Sequence, residues 1–67
     1  MTPADLAELR IQDIITKAEY DVLLLQTKGM SQRTIALAIG VSRGAVRDRI
    51  HNAERKIQQH LRKDAAA

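Results

Sequence analysis

The residues best suited to meet a charged ligand are concentrated in the last third of the chain. Between positions 41 and 63 stand Arg43, Arg47, Arg49, Arg55, Lys56, Arg62 and Lys63 against only Asp48 and Glu54, a net charge of +5. Residues 1–20 carry Asp5, Glu8, Asp13 and Glu19 against Arg10 and Lys17, a net charge of −2. The whole-chain value of +3 conceals this division. A basic block on one element is the electrostatic footprint of a polyanion binder. On charge alone, a solvated helix face would account for it equally well.

The other reactive side chains point away from catalysis and metal chemistry. His51 and His60 are nine residues apart, outside the usual spacing of a shared metal site, and no cysteine is present to supply a thiolate. Glu19 has no second carboxylate or nucleophile converging on it and reads better as a helix-capping carboxylate than as a catalytic acid. No catalytic residue, metal or cofactor is therefore expected. Ser31 and Ser42 each precede an apolar-periodic segment, where serine caps backbone N–H groups; phosphate contact is compatible with that role.

Caps mark the elements that must position these groups. Thr2, Pro3 and Asp5 supply an N-cap, a proline at the first helical position and a carboxylate in the first turn, which predicts a helix from Pro3 to about Asp13. Its apolar arc would be Leu6, Ala7, Leu9, Ile11 and Ile14. Thr16 and Glu19 form a capping box, with Ile15 placed to staple against Tyr20, so a second helix should run to Lys28 and stop at Gly29. Ser31 caps a third over Gln32–Ile39, with Ile35, Ala36 and Ile39 on one face and Gly40 suited to a left-handed ending. Ser42 caps the last, where Val46, Ile50, Ala53, Ile57 and Leu61 repeat at intervals of four and three. The tail Asp64–Ala67 has no evident packing partner and is expected to fray.

The expected fold is all-α: one compact four-helix domain over residues 1–67, with an added N-terminal helix over 1–14, a core over 15–63 and the tail. A chain of 67 residues removes only about 60% of its unfolded surface from water, which a small helical bundle can accommodate. No apolar run approaches the roughly 18 residues needed to span a bilayer, and the N-terminus lacks the order of a signal peptide, so the expected location is the cytoplasm. Two helices joined by a short glycine-containing turn, the second long and basic, have the sequence form of a helix-turn-helix. Ala36 would permit close crossing of the two helices, while Val46 and Ile50 would lock the second onto the first.

Gly44–Ile57, GAVRDRIHNAERKI, resembles the last helix of region four of the extracytoplasmic-function sigma factors. Ile15–Ser42, ITKAEYDVLLLQTKGMSQRTIALAIGVS, resembles the same region and also LuxR-type C-terminal domains, through Thr16, Glu19, Val22, Leu23, Leu25, Gly29, Ser31, Ile35, Ala36, Gly40 and Ser42. The resemblance implies a bacterial or phage DNA-binding domain whose recognition helix reads a promoter element. The family's base-reading positions fall on Arg47, Asp48, His51 and Asn52, with Arg43 at the helix start in phosphate or base contact. Arginine can fork onto guanine, aspartate can accept from the amino group of cytosine, and asparagine can pair with adenine. Ser31, Arg33, Thr34, Ser42, Gly44, Arg49, Arg55 and Lys56 would face the DNA backbone, Gly44 by close main-chain approach.

The chain departs from that pattern in three ways. It carries no segment like sigma region two, so it is not expected to direct polymerase as a complete sigma factor does. Tyr20, Leu24 and Leu37 stand where relatives are charged or polar, forming an apolar patch that the added first helix or a partner would cover. Asp48 replaces a small polar residue. The function expected first is transcription regulation through sequence-specific binding of double-stranded DNA. The alternatives are an adaptor that binds RNA polymerase or a sigma or anti-sigma protein, and a phage-type architectural or excision protein. Two chains could pair along the ridge ending in Ile57 and Leu61.

Overall fold

In a computed structural model of the chain, which describes residues 1–66 and the side chains through Lys63, four helices occur in the order expected. They are α1 (Pro3–Ile11), α2 (Lys17–Thr27), α3 (Gln32–Ile39) and α4 (Arg43–Ala66). The described residues include no strand, and no helix among them is long and apolar enough to cross a membrane. The expected lack of packing for the tail concerns side chains outside those described; the backbone of 64–66 continues α4, and Ala67 lies outside the described residues.

The caps act where the residue types place them. The Thr2 hydroxyl accepts the Asp5 N–H while the Asp5 carboxylate accepts the Thr2 N–H, so α1 begins with a capping box. Those Thr2 hydrogen bonds hold the Asp5 carboxyl below its ordinary value. Thr16 and Glu19 do the same for α2. At its other end Gly29 adopts φ +82°, donating to the Gln26 carbonyl while Met30 donates to that of Leu25. Left-handed glycine thus satisfies two helix-end carbonyls and turns the chain towards α3.

The end of α1 differs from the expectation. The helix stops at Ile11, and Asp13 takes φ +59°. Its N–H reaches the Arg10 carbonyl at 3.1 Å and the Ile14 N–H reaches that of Leu9 at 3.0 Å, the same double closure with aspartate in the glycine position. Aspartate tolerates this region better than most residues. The reversal carries Ile15 into the core, 2% exposed, and leaves Ile11 outside it at 76%. Five residues at 100° each set Ile11 about 140° from Leu6 around the helix, so the expected arc included a residue from the wrong side.

The core lies where α2, α3 and α4 meet. Val22, Ile35, Val46 and Ala53 are each 0% exposed, joined by Leu23, Ala36, Ile50 and Ile57. Each fully buried Val or Ile stabilises the fold by about 1.5–3 kcal/mol. The second helix packs against each of the others, and α1 adds Leu6 and Leu9 from the side. Leu61 breaks the dry stripe of α4: it is 57% exposed. At 1.5 Å per residue the 24-residue α4 is about 36 Å long, nearly the 40 Å long axis of the molecule, and its last turns outrun the helices that cover its start.

Candidate nucleic-acid interface

The turn before α4 fixes where its polar face points. Gly40 takes φ +72°, its N–H bonding the Ala36 carbonyl at 2.9 Å, and the Val41 N–H bonds the same oxygen at 3.1 Å. The Ser42 hydroxyl then accepts the Ala45 N–H at 3.1 Å and opens α4. Because Val46, Ile50, Ala53 and Ile57 are buried, the opposite face must look outward. Gly44, Asp48, His51 and Arg55 lie along that face at intervals of four, three and four, and all are exposed. Arg47 and Asn52 stand exposed on either side, and Arg43 is exposed at the helix start. All five residues expected to read bases are therefore exposed, but they do not share one side: Asp48, His51 and Asn52 look outward opposite the buried stripe, Arg47 borders them, and Arg43, nine residues and about 180° from Asn52, stands at the helix start.

The expected backbone-contacting residues are distributed less evenly. Ser31 and Thr34 are exposed at the start of α3 but bond each other: the Ser31 hydroxyl accepts the Thr34 N–H at 3.2 Å and lies 2.9 Å from the Thr34 hydroxyl. The capping role is thus observed for Ser31, as for Ser42. Arg33 is exposed, and Arg49 is half-buried on the flank of α4. A guanidinium nitrogen of Arg55 donates to Asn52 Oδ1 at 3.4 Å, which couples the two on the outer face.

Lys56 departs most from its expected place. Its ammonium donates to both oxygens of Glu19, at 2.9 and 3.1 Å, and its side chain is only 37% exposed. Burial acts to raise the carboxyl of Glu19, but the Thr16 N–H and the Lys56 ammonium outweigh it and hold the group below its ordinary value. Lys56 is committed within the fold and drops out of the set facing outward. Its partner lies 37 residues upstream, and Glu19 was already accounted for as a capping carboxylate.

Three ion pairs among the described residues, Arg10–Asp13, Lys17–Asp21 and Lys56–Glu19, draw their acids from the first 21 positions. Arg43, Arg47, Arg49, Arg55, Arg62 and Lys63 take part in none of them. The acids of those pairs are spent on Arg10, Lys17 and Lys56, and none is placed against the arginines of α4.

Sequence reasoning overlooked Gln32. As the first residue of α3 it carries no distinguishing pattern, yet it lines a concavity of about 370 Å³ with Arg43, Gly44 and Arg47. Its place directly after the capping Ser31 was the only available signal. Farther along, His51, Glu54, Arg55, Gln58, Gln59 and Arg62 line a second concavity, extending the polar surface past the expected residues.

The apolar patch is smaller than expected. Tyr20 is half-buried and packs against the core, Leu24 is half-buried, and only Leu37 stands clear, at 77% exposure. The first helix does not cover it; its buried residues are Leu6 and Leu9, directed into the core. Among the described residues no three His, Asp or Glu side chains gather into a group able to hold a metal ion. Comparison of the chain with protein-family models, with curated proteins and with solved structures finds no match in any of the three.

Proposed function

We propose that the protein is a sequence-specific DNA-binding regulator of transcription in which α3, the Gly40 turn and α4 act as a helix-turn-helix and α4 enters the major groove. One observation carries the reading: α4 is locked by a dry ridge on one side and presents Arg43, Arg47, Arg55 and Arg62, none in an ion pair among the described residues, on its other sides. A helix fits a groove about 12 Å wide, and cations bordering it can hold phosphates while Asp48, His51 and Asn52 meet base edges. The likeness of Gly44–Ile57 to sigma region four belongs to this proposal, as does a cytoplasmic setting. The notch formed by Gln32, Arg43, Gly44 and Arg47 adds α3 to the contact surface.

Selection of duplexes from a random pool, followed by fluorescence anisotropy titration at several salt concentrations, tests it. Binding should weaken steeply with salt, the slope reflecting the number of phosphates neutralised. Arg47→Ala should cost about 1–3 kcal/mol and relax preference at one position if Arg47 reads a base. Unchanged affinity and preference in that variant would remove α4 from the role assigned to it.

The exposure of Leu37 favours a second reading, an adaptor for RNA polymerase or a sigma or anti-sigma protein. Polymerase retained by the wild type and by Arg47→Ala, but lost with Leu37→Glu, would favour it over the first.

A further inference from the structure

The carboxylates among the described side chains are of two kinds. Asp5 bonds the Thr2 N–H, Glu8 accepts from Gln12, Asp13 pairs with Arg10, Asp21 with Lys17, and Glu19 with Thr16 and Lys56. Asp48 and Glu54 make no hydrogen bond or ion pair among the described residues. Glu54 lies towards the edge of the polar surface, near Ile57 and Leu61. Asp48 lies on the outward ridge itself. The positions one turn from it are Gly44, Ala45, His51 and Asn52, so no arginine or lysine occupies a place from which a helical neighbour could pair with it.

An unpaired carboxylate on a basic face weakens attraction to phosphate, so non-specific electrostatic binding does not explain its place. It becomes favourable opposite a hydrogen-bond donor. Two exocyclic amino groups face the major groove, N4 of cytosine and N6 of adenine. The adenine amino group sits beside the N7 acceptor, which repels a carboxylate; cytosine presents its donor without that neighbour.

Gly44 supplies a second, independent observation. A side-chain carbon added there would meet only the Ser42 hydroxyl, at 3.9 Å, and the backbone is helical with no positive φ, so neither packing nor conformation calls for glycine. In a helix, glycine is less favourable than alanine. What it does provide is a gap in the ridge, one turn before Asp48, through which a base edge can come close.

We infer that Asp48, with the gap at Gly44 beside it, is the specificity-determining acceptor of α4, taking the exocyclic amino group of a cytosine in the major groove. The inference rests on the DNA-binding reading above. The test starts from random duplex pools offered to the wild-type protein and to Asp48→Ala. The exposed position and the better helix propensity of alanine should leave the fold intact, as circular dichroism would verify.

The wild-type pool should fix a C·G pair at one position. In Asp48→Ala that preference alone should fall by about 5- to 150-fold, while affinity for unrelated duplexes rises. Replacing the fixed cytosine with pyrimidin-2-one, which lacks the amino group, should weaken the wild type and leave Asp48→Ala unaffected. Enrichment by the wild type that persists unchanged at every position in Asp48→Ala overturns the inference and leaves the DNA-binding reading standing. So does equal tolerance of the analogue by both proteins. No enrichment by the wild type overturns both.

Discussion

Replacing Glu19 with glutamine would separate two contributions that one carboxylate makes. Its Oε1 accepts the Thr16 N–H at 2.8 Å and the Lys56 ammonium at 2.9 Å, so it caps α2 and ties that cap to α4. Glutamine can retain the first contact, being the other residue used in capping boxes, but not the charge. A hydrogen bond to a charged group contributes about 1.5–3 kcal/mol. Glu19 has a 6% exposed side chain, but Lys56 at 37% can turn to water once released, which lowers the expected loss to about 1–2 kcal/mol. For a domain of this size that corresponds to a fall in Tm of about 4–16 °C.

Thermal and urea unfolding followed by circular dichroism would measure it, with Lys56→Met and the double variant completing a cycle. A coupling energy no larger than about 0.5 kcal/mol, the scatter expected of independent sites, would refute the reasoning. The pH dependence offers a separate check. The folded protein holds the Glu19 carboxyl below its ordinary value of 4.5, so the contribution is present above that pH. It is lost as pH falls through the lower folded-state value, where the folded form must take up the proton. Glu19→Gln should remove this component of acid sensitivity and leave the rest.

Gly44→Ala should raise stability by up to about 1 kcal/mol, seen as a higher Tm, since the added carbon meets nothing closer than 3.9 Å. The same variant should bind DNA more weakly; undiminished affinity would show that the gap is not used. At Asp13, with φ +59°, valine should cost about 1–2 kcal/mol in urea unfolding. Glycine there should leave stability within about 0.5 kcal/mol, the exposed Arg10 contact contributing little.

Helix starts were legible because a cap is local chemistry: Thr2, Thr16, Ser31 and Ser42 each bond an N–H three residues ahead. Gly29 and Gly40 were legible because few other residues adopt the required φ readily. Asp13 was not, because the residue type permits a left-handed ending without announcing one. The repeat Val46–Leu61 identified which side of α4 is dry and that its last turns need cover, but not where cover within the chain ends: Ile57 is buried and Leu61 is 57% exposed. Lys56 and Gln32 needed tertiary structure, since their partners come from α2 and α4. The exposure of the five expected base readers was legible because the buried repeat of the helix that carries them shows which positions are left outside.

The overhang of α4 has a thermodynamic consequence. Upstream of Ile57 its backbone is held by buried side chains; beyond it the described side chains are exposed, apart from the half-buried His60, so burial contributes less to the last turns. A short helical segment with little burial is marginal in water, so opening free energies should grade downwards along one continuous helix. Global stability should then depend less on the turns after Ile57 than on those before it. Changes to the exposed turn after His60 should therefore alter the reach of α4 more than the foldedness of the core.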